Sequence, residues 1–183
     1  MRRLACLAVL LAAALSSHSA MKPGAVTRAS LAALESSFDQ RIGKLDVTNP
    51  LDVLGPTRGV YLPGFGVVFS TEVNLVITPT ITPFRMKISE EEVARVHQRK
   101  LERLPVLRQL MREMLVNSAA SLDDVPSDEQ VAVAVTLFFF RWEDRSGMPA
   151  QLVLQAKRKT LVDYQAGRID ANALRTAIHE QVF

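Results

Sequence analysis

Cysteine and histidine, which supply many metal ligands and nucleophiles in proteins, are scarce in this sequence. It contains one cysteine, Cys6, and three histidines. If the first 20 residues are removed, no cysteine and only two histidines remain. Disulfides and thiol catalysis are then excluded, and the usual zinc sites lack enough ligands. We therefore expect no metal and no cofactor.

An excess of positive charge is also missing. The chain has 22 Lys and Arg against 19 Asp and Glu, and loss of Arg2 and Arg3 would leave 20 against 19. A near-neutral domain has no electrostatic basis for binding nucleic acid. Nucleic acid is therefore not an expected partner.

Long apolar runs are absent except at the amino terminus. Met1-Arg2-Arg3 precedes an apolar run over 4–15 and a small polar stretch over 16–20. This order is typical of a secretory signal peptide, and the run is too short to span a bilayer. The sequence predicts cleavage after Ser19 or Ala20. The product would be a single domain over 21–183, periplasmic or extracellular, with no transmembrane span.

Two alternatives to simple cleavage remain open. Translation starting at Met21 would leave a cytoplasmic protein. Lipidation of Cys6 is disfavoured because Arg3 stands where a lipoprotein signal needs an apolar residue. The Arg2-Arg3 pair alone is weak evidence for twin-arginine export, so the general secretory route is the expectation.

The first half of the mature chain predicts a helix followed by a hairpin. Apolar residues recur at helical spacing from Thr27 to Gly43, and Thr27 or Ser30 is a suitable cap. Asn49-Pro50 and Gly55-Pro56 indicate a loop. Pro63-Gly64 predicts a tight turn between two strands within 60–76.

The second half begins with a long amphipathic helix over about 89–117, capped by Ser89. Pro105 predicts either a kink or two abutting helices. Residues 131–142 predict a central strand that is apolar on both faces, paired with 151–155. Two short helices are expected over 157–165 and 170–181.

These elements predict an α+β fold. An antiparallel sheet built from two hairpins would be packed by the long kinked helix and the smaller terminal helices. Whether both strand pairs belong to one sheet is left open by the sequence.

Familiar catalytic motifs begin in this sequence but are not completed. Gly64-Phe65-Gly66 leads into a strand, whereas a dinucleotide-binding loop leads into a helix. His179-Glu180 has no second histidine after it. The acidic residues within 123–129 lack the alternating ligands and central glycine of a calcium loop. No class of enzyme is therefore indicated.

The densest polar cluster is Arg141-Trp142-Glu143-Asp144-Arg145. It has two interpretations: a solvated turn with local ion pairs, or a ligand-binding rim that uses Trp142 as a platform and the arginines to hold a carboxylate or sugar. The adjacent run Phe138–Phe140 predicts core, or a partner surface if one face of its strand is uncovered.

The leading functional hypothesis is a non-catalytic exported protein that acts by binding, through self-association or as an accessory to an envelope protein. The alternative is a small-ligand binder or hydrolase-type enzyme with a carboxylate–arginine pocket near 141–145, to which Glu72 or His97 contributes. Attachment of the 89–117 helix to a membrane surface is less favoured because its polar face carries both charge signs.

Overall fold

The computed structural model describes residues 26–46, 48–78, 81–83 and 87–183. The predicted signal peptide over 1–20, including Cys6, lies outside these ranges. Within them the chain forms four helices and five strands. In chain order they are α1 (Arg28–Lys44), β1 (Asp52–Leu62), β2 (Gly66–Asn74), α2 (Glu90–Ala119), β3 (Gln130–Leu137), β4 (Gln151–Lys157), α3 (Arg158–Gln165), α4 (Ala171–Ala177) and β5 (His179–Val182).

The strands form one open mixed sheet in the order β1-β2-β3-β4-β5. The α+β class is confirmed, and both predicted strand pairs belong to the same sheet. The fully antiparallel arrangement is wrong, because β2 and β3 pair in parallel. Parallel neighbours need a long crossover, and the connection containing α2 supplies it.

The first pair, β1 and β2, meets at the predicted tight turn. The Phe65 N–H donates to the Leu62 carbonyl over 3.0 Å, and Gly64 has a φ of +82°. A Cβ at Gly66 would lie 1.9 Å from the Gln130 carbonyl oxygen, so this position excludes side chains. The second pair, β3 and β4, is joined by the longer connection 138–150, and its description as a hairpin is not confirmed.

Strand β1 is longer than predicted. It runs through Gly55-Pro56, which the sequence indicates as a loop, with irregular register on both sides of Gly55. Pro56 lies in the irregular register between Gly55 and Arg58, and bulges of this kind are where a strand accommodates proline. The loop prediction at Gly55-Pro56 is therefore wrong.

The predicted helix caps are confirmed. The side chains of Thr27, Ser89 and Asp170 accept backbone N–H bonds at the starts of α1, α2 and α4. Helix α2 is one continuous element of 30 residues with Pro105 inside it. Two abutting helices are therefore excluded, and a bend at Pro105 stays a prediction.

Two element ends differ from expectation. Strand β3 ends at Leu137 and not at Trp142, because the following backbone bonds to side chains: Lys100 donates to the Phe138 carbonyl over 3.0 Å. Helix α4 ends at Ala177 and not near 181, and His179–Val182 forms β5. An isolated four-residue strand carries too little periodicity to be recognised from sequence.

One face of the sheet holds the core. Apolar side chains from all four helices and from β2, β3 and β4 form a single buried cluster. Ala132 and Ala134 are buried on the opposite face of β3, outside this cluster. None of the described helices combines the length and the apolar character needed to cross a membrane.

Candidate functional site

The predicted cluster Arg141–Arg145 lies on the connection between β3 and β4, against α2. Glu143 turns inward and forms an ion pair with Lys100, and each of these side chains is 1% exposed. Glu143 also accepts a bond from the Phe140 N–H over 3.2 Å. Burial lowers the pKa of Lys100, and the Glu143 carboxylate opposes that shift. The pair fixes this connection onto α2.

The other cluster residues point in different directions. Arg141 is exposed, and half-buried Trp142 stacks on Phe140 at 6.0 Å between ring centroids. Asp144 accepts bonds from the Ser146 hydroxyl and N–H at 2.6 and 2.8 Å, which lower the pKa of its carboxyl. His97 Nδ1 lies 3.0 Å from the Asp144 carbonyl oxygen.

A depression of about 250 Å³ lies beside this cluster. Glu72 and Arg145 line it together with Phe138, Phe139 and Met148. The Arg145 guanidinium lies 5.2 Å from the centre of the Phe139 ring. Of the five cluster residues Arg145 is the one that lines the depression, and a ligand site there stays a prediction.

A more distinctive arrangement lies at the β1 edge of the sheet, where side chains of α1 bond to the strand's outer backbone groups. Gly59 donates its N–H to Glu35 over 2.5 Å, and its carbonyl accepts a bond from Arg28 over 3.1 Å. Thr57 donates its N–H and hydroxyl to Asp39 over 2.9 and 2.6 Å. Because alternate residues of a strand direct these groups to the same side, α1 occupies the outward positions of β1 at Thr57 and Gly59. We call this arrangement the closed edge.

Glu35 is the centre of the closed edge. It is 6% exposed and forms an ion pair with Arg28 while accepting the Gly59 N–H. The hydrogen bond from Arg28 is the largest influence on the pKa of Glu35, and it lowers that pKa. Gly59 leaves room for two neighbours, because a Cβ there would lie 2.7 Å from the Phe69 ring and 3.4 Å from Glu35 Oε1.

The opposite edge of the sheet is β5, which we call the open edge. Phe183 exchanges bonds with Gln151: its N–H donates over 3.0 Å and its carbonyl accepts over 3.2 Å. Hydrogen-bonded pairs alternate along an antiparallel ladder, so Gln181 also faces inward, opposite Val153. The N–H and carbonyl groups of Glu180 and Val182 therefore point away from the sheet.

Side chains leave the open edge accessible. All four residues of β5 are exposed, and Val182 and Phe183 are 54% and 64% exposed. Glu180 is drawn toward α2 by Arg108 at 2.7 Å and by Arg112 at 3.7 Å. The strand contains neither lysine nor proline, the residues that commonly protect an edge from pairing.

Sequence reasoning missed both edges. Arg28, Glu35 and Asp39 are spaced by seven and four residues, so they share one helix face beside the apolar stripe. That spacing was a usable signal for a polar contact, but nothing local identified β1 as its partner. The open edge had no signal, because its existence depends on which strand is last in the sheet.

In the described part of the chain, no three or more His, Asp or Glu side chains are grouped so as to hold a metal ion. Comparison of the chain with protein-family models, with curated proteins and with solved structures finds no match in any of the three.

Proposed function

We propose that this chain is an exported, non-catalytic protein that acts by binding, and that its partner is a second copy joined at the open edge. The observation that carries the proposal is the contrast between the two edges. Helix α1 bonds to the outward groups of β1, whereas the outward groups of Glu180 and Val182 face away from the sheet. An unpaired edge strand is a template for another strand.

The open edge is complementary to itself. A two-fold axis at Gln181 would place Glu180 of one copy opposite Val182 of the other, so that each pair exchanges two backbone bonds. His179 would lie opposite Phe183 of the second copy. No like charges face each other in this register, and exposed Val182 and Phe183 add apolar area. The pairing would extend the five-stranded sheet to ten strands.

Light scattering after size-exclusion chromatography tests the proposal. The interface is small, so we expect a dimer with a dissociation constant in the range of about 1–100 μM. Val182→Pro should abolish it, because proline removes an outward N–H while an extended edge position tolerates its ring. The control is Val60→Ser, at an exposed position of β1.

Two outcomes of the light-scattering experiment would contradict the proposal. A dimer that persists in Val182→Pro but disappears in Val60→Ser would move the interface to the β1 side and refute the open-edge proposal. A monomer at several hundred micromolar, well above the expected dissociation constant, would refute self-association altogether.

Disulfide trapping tests the register. Gln181→Cys in a Cys6→Ser background leaves one cysteine in the whole chain. Residues directly opposed at a non-hydrogen-bonded position lie about 4.5 Å apart between Cα atoms, within disulfide range. We expect Gln181→Cys to cross-link on oxidation. Glu180→Cys and Val182→Cys are matched controls that should cross-link far less, because neither opposes its own copy.

Export is tested by the mass of the amino terminus after expression of the full chain in a bacterial host. The proposal expects a product that begins at Ala20 or Met21 in the periplasm or medium. A cytoplasmic chain that retains Met1 would contradict it.

A further inference from the structure

A cavity of about 440 Å³ lies between α2 and the α3–α4 pair, separate from both edges. Its apolar wall is formed by Val116 from α2, Tyr164 from α3, Leu174 from α4 and Ile178 just after α4. The volume falls within the range of about 300–1,000 Å³ that is typical of small-molecule sites. The cavity can therefore bury the apolar part of a small ligand.

Two arginines from different helices line the same cavity: Arg112 from α2 and Arg175 from α4. Arg175 is exposed, and it forms no ion pair with any residue in the described ranges. Arg112 has a loose contact, 3.7 Å from Glu180, whose closer partner is Arg108 at 2.7 Å. Arg175 is thus available to an added anion, and Arg112 would share its guanidinium between that anion and Glu180.

The lining also contains one acid, Glu113. Its carboxylate accepts a bond from Gln109 over 2.9 Å, along the exposed side of α2. Two arginines against one carboxylate leave a positive balance beside an apolar wall. That combination selects a ligand that has one apolar end and one negative end.

We propose that this cavity binds a small amphipathic carboxylate. The apolar body would lie against Val116, Leu174 and Ile178, and the carboxylate would be held by Arg112 and Arg175. Guanidinium groups bind carboxylates through paired, charge-assisted bonds, which fixes the orientation of the ligand. Burial of the hydrocarbon supplies most of the affinity.

The test is a titration of the full processed chain with sodium decanoate, followed by ¹H–¹³C methyl spectra. We expect saturable shifts at Val116, Leu174 and Ile178 with a dissociation constant of roughly 0.1–1 mM, typical of so small a ligand. Arg175→Gln should weaken binding about tenfold. Arg168→Gln is the matched control: Arg168 pairs with Asp163 at 2.6 Å and does not line the cavity.

Decanol has the same apolar chain as decanoate but no carboxylate. Its affinity for the wild type should therefore be no higher than the affinity of decanoate for the Arg175→Gln variant. Equal affinity of the wild type for decanol and decanoate would overturn the proposal. So would methyl shifts outside the cavity, or an equal loss of decanoate affinity in Arg175→Gln and Arg168→Gln. The methyl spectra report folding of each variant directly. Because Arg112 in the cavity contacts Glu180 of β5, the titration is made on the dilute monomer, which keeps its result distinguishable from that of self-association.

Discussion

The two edge strands of the sheet differ in what their outward backbone groups contact. At the closed edge, Arg28, Glu35 and Asp39 bond to the outward backbone groups of Gly59 and Thr57. At the open edge, α2 contacts β5 through the Glu180 side chain, and the outward backbone groups of β5 face away from the sheet. A sheet that has one protected edge can add a strand at one end only. If the proposed self-association occurs, this difference predicts a finite assembly and not an open-ended one.

The largest expected effect comes from breaking the closed edge at Glu35. Glu35→Ala removes the acceptor for the buried Gly59 N–H and the partner of Arg28. We expect a loss of about 2–4 kcal/mol in the free energy of unfolding, measured by urea denaturation. Gln40→Ala, on the exposed side of the same helix, should change it by less than about 0.5 kcal/mol. Equal values for the two variants would show that Glu35 does not hold the edge.

Asp39 makes a smaller contribution to the same edge. Asp39→Ala removes two hydrogen bonds from Thr57 at a partly exposed position. The expected loss is about 1–2 kcal/mol by the same denaturation measurement. Because Glu35 and Asp39 act on one strand, the double variant should lose more than Glu35→Ala and should associate through β1. A double variant that stays at the wild-type oligomeric state would contradict the protective role of α1.

Acid should weaken the closed edge through Glu35. Its pKa is lowered in the fold, chiefly by Arg28, so its contribution is complete above the unfolded-state value of about 4.3. That contribution is lost as the pH falls through the lower folded-state pKa. The difference in unfolding free energy between wild type and Glu35→Gln should therefore shrink below about pH 4. A constant difference from pH 7 to pH 2 would refute this linkage.

Amide exchange compares the edges without altering the chain. In the dilute monomer, the outward N–H groups of Thr57 and Gly59 should be protected because each is bonded to α1. The outward N–H groups of Glu180 and Val182 should exchange rapidly, while inward Gln181 and Phe183 exchange more slowly. At concentrations that favour the dimer, Glu180 and Val182 should gain protection. Equal rates for all four β5-side amides in the monomer would contradict the alternation on which the register depends.

The parts of this fold that could be predicted are those that short stretches of sequence determine. Thr27, Ser89 and Asp170 were identifiable as caps because capping needs one side chain and three following residues. The turn at Pro63-Gly64 followed from the φ that glycine permits. Strand order could not be predicted in this way, because the parallel pairing of β2 with β3 depends on how a crossover of more than fifty residues packs.

The candidate site shows the same division. The cluster Arg141–Arg145 could be identified from sequence because its polar residues are adjacent in the chain. The ion pair of Glu143 with Lys100 on α2 could not, because the two residues are distant in sequence. The residues of the closed edge are separated by 24 positions between Glu35 and Gly59. Contacts of that kind become visible only when the helix and the strand are placed beside each other.

The closed edge also has a consequence for the order in which the chain is made. Its components lie within residues 28–59, so helix and strand leave the ribosome in direct succession and their contacts close a short loop. Strand β5 comes after β4 in the chain, so its partner strand is already made when β5 emerges. The nascent chain therefore shields its first strand with its own neighbouring helix long before the open edge is made.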